Sequence, residues 1–348
     1  MSPYILFTLM FGLGLGTTLT FASSHWLLAW MGIEMNTLAF IPLMAQHHHP
    51  RAVEATTKYF LAQAAAAAVL LFAALTNAWM TGQWDIQQDL SPVPAAMLTC
   101  ALALKLGLAP FHTWLPEVLQ GLDLTTGLIL STWQKLAPFA LLFQIHPLHP
   151  GLVTLLGLTS TLVGGWGGLN QTQLRKILAY SSIAHLGWMM VVMQFSPPLA
   201  KLTLALYIIM TASTFMVLKL TSSKTINALT SSWTKIPTIT ALTPLILLSL
   251  GGLPPLTGFM PKWLILHELT KQELGLLATT LAIGALLSLY FYLRLSYAMA
   301  LTISPNNISG TTPWRFTHSP MKLALAILTS LSITLLPLTP ALTSFSPL

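Results

Sequence analysis

The chain has 348 residues, of which 7% are charged and 54% hydrophobic, with a formal net charge of +7. A water-soluble chain of this length carries roughly a quarter charged residues, so most of this surface must face lipid. The basic residues form no dense run with interleaved aromatics, which argues against nucleic acid as a partner, and the single cysteine, Cys100, excludes an internal disulfide, a CxxC redox pair and a cysteine-ligated cluster.

The first 21 residues run apolar without a basic leader, so they read as a membrane span rather than a cleavable signal or an Arg-rich transit peptide. The GLGLG at 12–16 resembles a phosphate loop only superficially. No strand precedes it, so small residues for close helix packing is the better reading. At about twenty residues per span, the pattern predicts eleven transmembrane helices: 3–21, 25–44, 57–80, 94–120, 125–144, 150–170, 176–194, 199–221, 238–270, 275–300 and 322–342. The longest polar connections, 81–93, 222–237 and 301–321, are too short for a soluble domain, so 1–348 reads as a single all-α polytopic membrane domain. The run HHH at 47–49, next to Arg51, reads as an interfacial polar patch; no further ligands cluster around it to make a metal site.

Basic residues test this map. With the N-terminus on one side, that side holds Arg51, Lys58, Arg175, Lys176, Lys219, Lys224, Lys235, Arg294, Arg315 and Lys322, whereas the other holds only Lys201 and Lys271. The positive-inside rule then places the N-terminus on the cytoplasmic side or its equivalent, the mitochondrial matrix, and the C-terminus opposite.

Lys105, Lys135 and Lys262 remain, together with Glu34, and all four fall inside predicted spans. A charge at the bilayer centre costs about 2.5–3.5 kcal/mol on insertion scales, so these groups must pair, face water or hold their charge conditionally. Conditional charge suits proton transfer; structural ion pairs or snorkelling chains are the plainer alternative. His112, two turns beyond Lys105, and His185, in AYSSIAHLGW, are candidate relays, with a backbone-bonded packing histidine as the alternative.

The two over-long spans share a motif. GLAPFHTWLP at 107–116 and GLPPLTGFMP at 252–261 both read G-L-x-P-[FL]-x-x-[WF]-x-P. They lie five crossings apart, so the copies run in opposite directions. This predicts two inverted five-helix repeats, 1–144 and 150–300, each with one broken helix, followed by 301–348 with a last helix. Broken helices near the midplane are where transporters handle coupling ions. No GxxxxGK[ST] is present, so an ion gradient or a partner must supply the driving force.

The segments EMNTLAFIPLM (34–44), EATTKYFLAQAAAA (54–67), LKLGLAPFHTWLPEV (104–118), ILSTWQKLAP (129–138), LNQTQLRKILAYSSIAHLGW (169–188) and GLPPLTGFMPKW (252–263) carry a resemblance that spans nearly the whole chain. It resembles the subunit 2 family of vertebrate mitochondrial NADH dehydrogenase, an antiporter-like membrane family of respiratory complex I. The resemblance implies a proton-translocating subunit of the mitochondrial inner membrane, docked against other membrane subunits and lipid. It implies no cofactor on this chain, with NADH, FMN, iron–sulfur clusters and ubiquinone handled elsewhere in the complex. It also implies that Glu34 pairs with Lys105, that Lys135 is a relay and that Lys262 is the terminal lysine. Two other functions stay open from the residues themselves: a stand-alone cation/proton antiporter, and a non-pumping structural subunit.

Overall fold

The computed structural model describes residues 2–46, 49–88, 90–145, 149–234, 236–301 and 322–341. His47, His48, Lys235, Arg315 and most of the 301–321 connection lie outside the described residues, as does position 342, the end of the last predicted span. The described residues form α-helices with two short 3-10 turns and no strand beyond isolated bridges. Among the described residues, six helices are long and apolar enough to cross a membrane, and three shorter apolar ones accompany them. Large apolar side chains stand exposed, among them Tyr4 at 82%, Trp79 at 91% and Leu276 at 82%. Lipid is the solvent that tolerates them, as the composition requires.

The chain divides into two compact units, 1–160 and 161–348. The first contains α1 (Pro3–Ala22), α2 (Trp26–Met44), α3 (Pro50–Thr81), α4 (Pro92–Leu106), α5 (Trp114–Gly121), α6 (Leu124–Ser131), α7 (Trp133–Gln144) and the start of α8 (Pro150–Gly167). Helix starts follow from local chemistry. Proline opens α1, α3 and α4, where its missing N–H costs nothing. His25 and His49 cap α2 and α3 by accepting the amides of Leu27 and Arg51 at 3.2 and 3.3 Å. His49 is therefore more than a surface patch: it fixes the start of a 32-residue helix that the hydropathy pattern alone begins at residue 57.

Apolar surface gives no driving force between helices in lipid, so close approach decides packing. α1 lies against α2 through Gly16 and Gly32. A Cβ on Gly16 would fall 2.7 Å from the Gly32 carbonyl oxygen, and one on Gly32 2.7 Å from the Thr20 methyl. The packing reading of GLGLG thus holds for Gly12 and Gly16; Gly14 has open space around it. The sequence predicts one unbroken helix over 125–144, yet the structure interrupts it at Thr132, between α6 and α7. Pro138 offers no amide to the Gln134 carbonyl. Six residues earlier, the Thr132 hydroxyl donates to Leu128 O at 2.7 Å. Together they loosen the ladder in the turn that carries Lys135.

The second unit contains α9 (Leu174–Met193), α10 (Pro197–Thr221), the short α11 (Ile226–Thr230), α12 (Pro237–Gly251), α13 (Phe259–Lys271), α14 (Gly275–Ala300) and α15 (Lys322–Thr334). α14 packs on α12, α9 and α13, and α10 packs on α9, α12 and α15. The Arg294 guanidinium donates to the carbonyls of Leu169 and Gln171 and so pins the link into α9.

Candidate functional site

Each unit contains a helix interrupted at a Gly–Leu–x–Pro turn, and these two interruptions are built alike. α4 ends at Gly107 with φ 78°, and α12 ends at Gly252 with φ 80°. This left-handed conformation is the one glycine adopts without Cβ penalty. Gly107 donates to Ala103 O and Leu104 O at 2.9 and 3.2 Å, and Leu108 donates to Ala103 O at 3.0 Å. Gly252 donates to Leu248 O and Ser249 O at 3.1 and 3.0 Å, and Leu253 donates to Leu248 O at 3.3 Å. Both are Schellman-type ends. A cis X-Pro bond follows two residues after each glycine, at Ala109–Pro110 and Pro254–Pro255. The helix then resumes seven residues past each glycine, at Trp114 and at Phe259.

The first interruption carries the charge cluster. Lys105 sits in the last turn of α4 and is 5% exposed. Its Nζ and Glu34 Oε2 on α2 are both buried without a hydrogen-bond partner among the described residues. The two groups make no direct ion pair. Lys135 on α7 is 3% exposed and shares a cavity with Lys105. That cavity measures about 20 Å³, and Asn36, Thr37, Tyr59, Gln63 and Gln134 add uncharged polar groups to its wall. A water needs roughly 10–15 Å³ by the same measure and two to four polar partners. Asn36, 2% exposed, has neither amide atom bonded, and Gln134 Nε2 is likewise buried without a partner. The space and the unmet polar atoms therefore match a bound water between the two lysines.

Three α3 residues surround the first interruption. Gln63 Nε2 donates to Lys105 O at 3.3 Å. Tyr59 packs edge-on against Trp114, with centroids 5.8 Å apart, and the Trp114 indole donates to Leu104 O at 3.1 Å. Lys58 bridges Glu117 of α5 at 2.8 Å and Glu54 at 2.7 Å. His112 hydrogen-bonds the backbone of Pro110 within the turn and does not line the cavity.

In the second unit Lys262, one turn into α13, donates to Gly251 O at 2.6 Å, the carbonyl just before the left-handed glycine. His185 packs against Tyr207 with ring centroids 5.6 Å apart, and the Tyr207 hydroxyl bonds Ser182. Of the six residues singled out in the sequence, the structure brings Lys105 and Lys135 to one cavity, and Glu34 lies outside its lining, on α2 next to the lining residue Ile33. It places His112 in the adjacent turn, and Lys262 and His185 at separate places in the other unit. The sequence reading missed Asn36, Tyr59, Gln63, Trp114 and Gln134. Gln63 and Asn36 could have been found: both are amides inside apolar spans, and an amide in lipid needs the same explanation as a charge.

An interrupted helix with a buried lysine and a water-sized polar cavity fits a membrane protein of the ion-translocating, antiporter-like class. Residues 23–288 match the family of NADH:quinone oxidoreductase/Mrp antiporter transmembrane proteins, and residues 289–343 match the NADH dehydrogenase subunit 2 C-terminus. The chain is 69% identical to NADH-ubiquinone oxidoreductase chain 2 of Tetraodon nigroviridis and 71% identical to that of Gadus morhua, each over 98% of both chains. Among solved structures it resembles a chain of respiratory complex I from Thermus thermophilus with bound aureothin, with a TM-score of 0.87 and 29% identity over 99% of this chain and 80% of that one. The chain belongs to the NADH-ubiquinone oxidoreductase chain 2 family.

Proposed function

We propose that the chain is a proton-translocating membrane subunit of NADH:ubiquinone oxidoreductase in the mitochondrial inner membrane. The observation that carries this reading is the meeting of Lys105 and Lys135 at a water-sized cavity beside a helix break, with the Glu34 carboxylate buried and unbonded on α2, in a chain of this family. NADH oxidation, the flavin and iron–sulfur electron path and ubiquinone reduction take place on other subunits. This chain contributes proton movement, driven by charge changes passed from its neighbours in the membrane.

Lys105 is the switch. Attraction from Glu34 holds its proton, and moving that charge away frees the proton to pass through the cavity water to Lys135. Lys262 serves as the terminal carrier, and His112 and His185 are auxiliary. His112 spends one hydrogen bond on the Pro110 backbone, which favours a tie for the turn over a carrier.

Eleven crossings, with the N-terminus facing the matrix and the C-terminus the intermembrane space, fit the ten-to-two split of basic residues. The matching Schellman ends and the common seven-residue gap before each helix resumes support the inverted five-helix repeat. The test is Lys105→Ala in the assembled complex: the protons moved per NADH should fall, and a normal stoichiometry sinks the proposal.

The family description also covers Mrp antiporters, which keeps a stand-alone cation/proton antiporter as the second reading. Reconstituting the isolated chain separates the two, because ion exchange without partner subunits favours the antiporter.

A further inference from the structure

The sequence predicts an unbroken last span over 322–342, yet α15 stops at Thr334. Its 13 residues rise about 20 Å, short of the roughly 30 Å hydrocarbon core. Pro337 accounts for the stop. It has no amide to offer the Ile333 carbonyl, and a 3-10 turn over Leu336–Leu338 takes over. Ser332 O is one of the last four carbonyls of α15, which have no amide partner in the helix. It accepts a hydrogen bond from the hydroxyl of Thr257, in the turn between α12 and α13. Both residues are buried, Thr257 at 1% and Ser332 at 0% exposure.

Thr257 adjoins the backbone that surrounds Lys262. Gly258, the next residue, has no room for a Cβ against the Ser249 carbonyl of α12. A Cβ on Gly252 would stand 2.9 Å from Lys262 Nζ and 3.1 Å from Gly258 O, so the ammonium and that carbonyl lie against the same glycine. Lys262 Nζ itself donates to Gly251 O at 2.6 Å. The start of α13 is thus held on one side by the last turn of α12 and on the other by the open end of α15.

We infer that α15 braces the second interruption, and that Thr257 is the positioning residue that fastens it, setting the start of α13 and with it the Lys262 ammonium against Gly251. This rests on the reading of Lys262 as a proton carrier. Apolar packing in lipid gives little preference for one helix arrangement over another, so a buried hydrogen bond between elements helps to decide it. α15 packs on α10 and α12 through a buried cluster of Val217, Ile246 and Leu325, with Ile333 against it. The Thr257 bond carries that packing into the turn. The last span lies outside the predicted inverted repeats, and the brace gives it a task in the second half of the proton path.

The test uses Thr257→Val, which keeps the shape and removes the hydroxyl, and Thr257→Ser, which keeps the hydroxyl and drops a methyl. Both are placed in the complete complex. The expected result for Thr257→Val is a complex that assembles and reduces ubiquinone but moves fewer protons per NADH, with the wild-type stoichiometry restored in Thr257→Ser. A purely structural role would lower the amount of assembled complex and leave the stoichiometry of what assembles unchanged. Wild-type stoichiometry in assembled Thr257→Val overturns the inference, and so does a Thr257→Ser complex as impaired as Thr257→Val.

If Thr257→Val does not assemble, Pro337→Ala decides in its place. It leaves Thr257 intact and lets α15 run on, so that the Leu336 amide competes for Ser332 O. Fewer protons per NADH in that variant support the brace, and a normal number overturns it. If neither variant assembles, α15 is scaffolding and the inference fails. Lys262→Ala separates this failure from that of the underlying reading. Loss of pumping in Lys262→Ala with normal Thr257→Val retires the brace alone, whereas normal pumping in Lys262→Ala retires the carrier.

Discussion

Glu34 and Lys105 illustrate how one charge in lipid is tolerated only through another. The two make no direct ion pair, yet the Glu34 Oε2 and Lys105 Nζ are both buried without a hydrogen-bond partner among the described residues. Removing one member of a buried pair costs about 3–5 kcal/mol because it strands the other charge. Glu34→Gln should therefore reduce coupled turnover tenfold or more, with Lys105 releasing its proton rather than remaining charged alone. Once that has happened, Lys105→Met has little left to remove. The double variant should lose no more coupled turnover than the worse single variant, measured as NADH-driven proton uptake into vesicles. Additive losses would mean that the two residues act independently. Charged residues were the legible part of this site, since a lysine in a span announces its cost from the sequence alone. The amides that bind or surround it were less visible. Asn36 and Gln63 belong to helices whose spacing to Lys105 in the chain, 69 and 42 residues, says nothing about their meeting in space.

Among the elements, the breaks in α4–α5 and α12–α13 were readable because glycine and proline state their backbone requirements locally. The break at Thr132 was not, because it needs the conjunction of a threonine back-bond and a proline two turns apart in an otherwise ordinary apolar run. The α1–α2 pair offers a controlled comparison of two neighbouring glycines. Gly16→Ala would drive a methyl toward the Gly32 carbonyl and the Asn36 amide, and should destabilise the pair by about 1–3 kcal/mol, the usual range for overpacking. Gly14→Ala meets nothing within 4 Å and should be neutral. The thermal stability of the purified complex carrying each variant gives the comparison, and equal effects would refute close packing as the role of Gly16.

At the scale of the whole molecule, composition pointed to lipid as the solvent, because 7% charged residues cannot cover a water-facing surface, and apolar runs of about twenty residues gave the all-helical class. Sidedness rests on the distribution of basic residues and has a direct check, aided by the presence of only one native cysteine. In a Cys100→Ala background, Ser2→Cys should react with an impermeant maleimide in inside-out membrane particles and resist it in intact mitoplasts. The reverse pattern would invert the assignment of both termini.

The long α3 has one more implication. Within six residues it engages both pieces of the interrupted helix: Gln63 binds the end of α4, while Tyr59 and Lys58 bind Trp114 and Glu117 of α5. An unbroken rod fastened to both sides of a fracture is a splint. Bending at residues 107–113 would have to tear at least one of these fastenings, so the interruption behaves as a fixed aperture rather than a joint, and side chains can swing there while the backbone around them stays still.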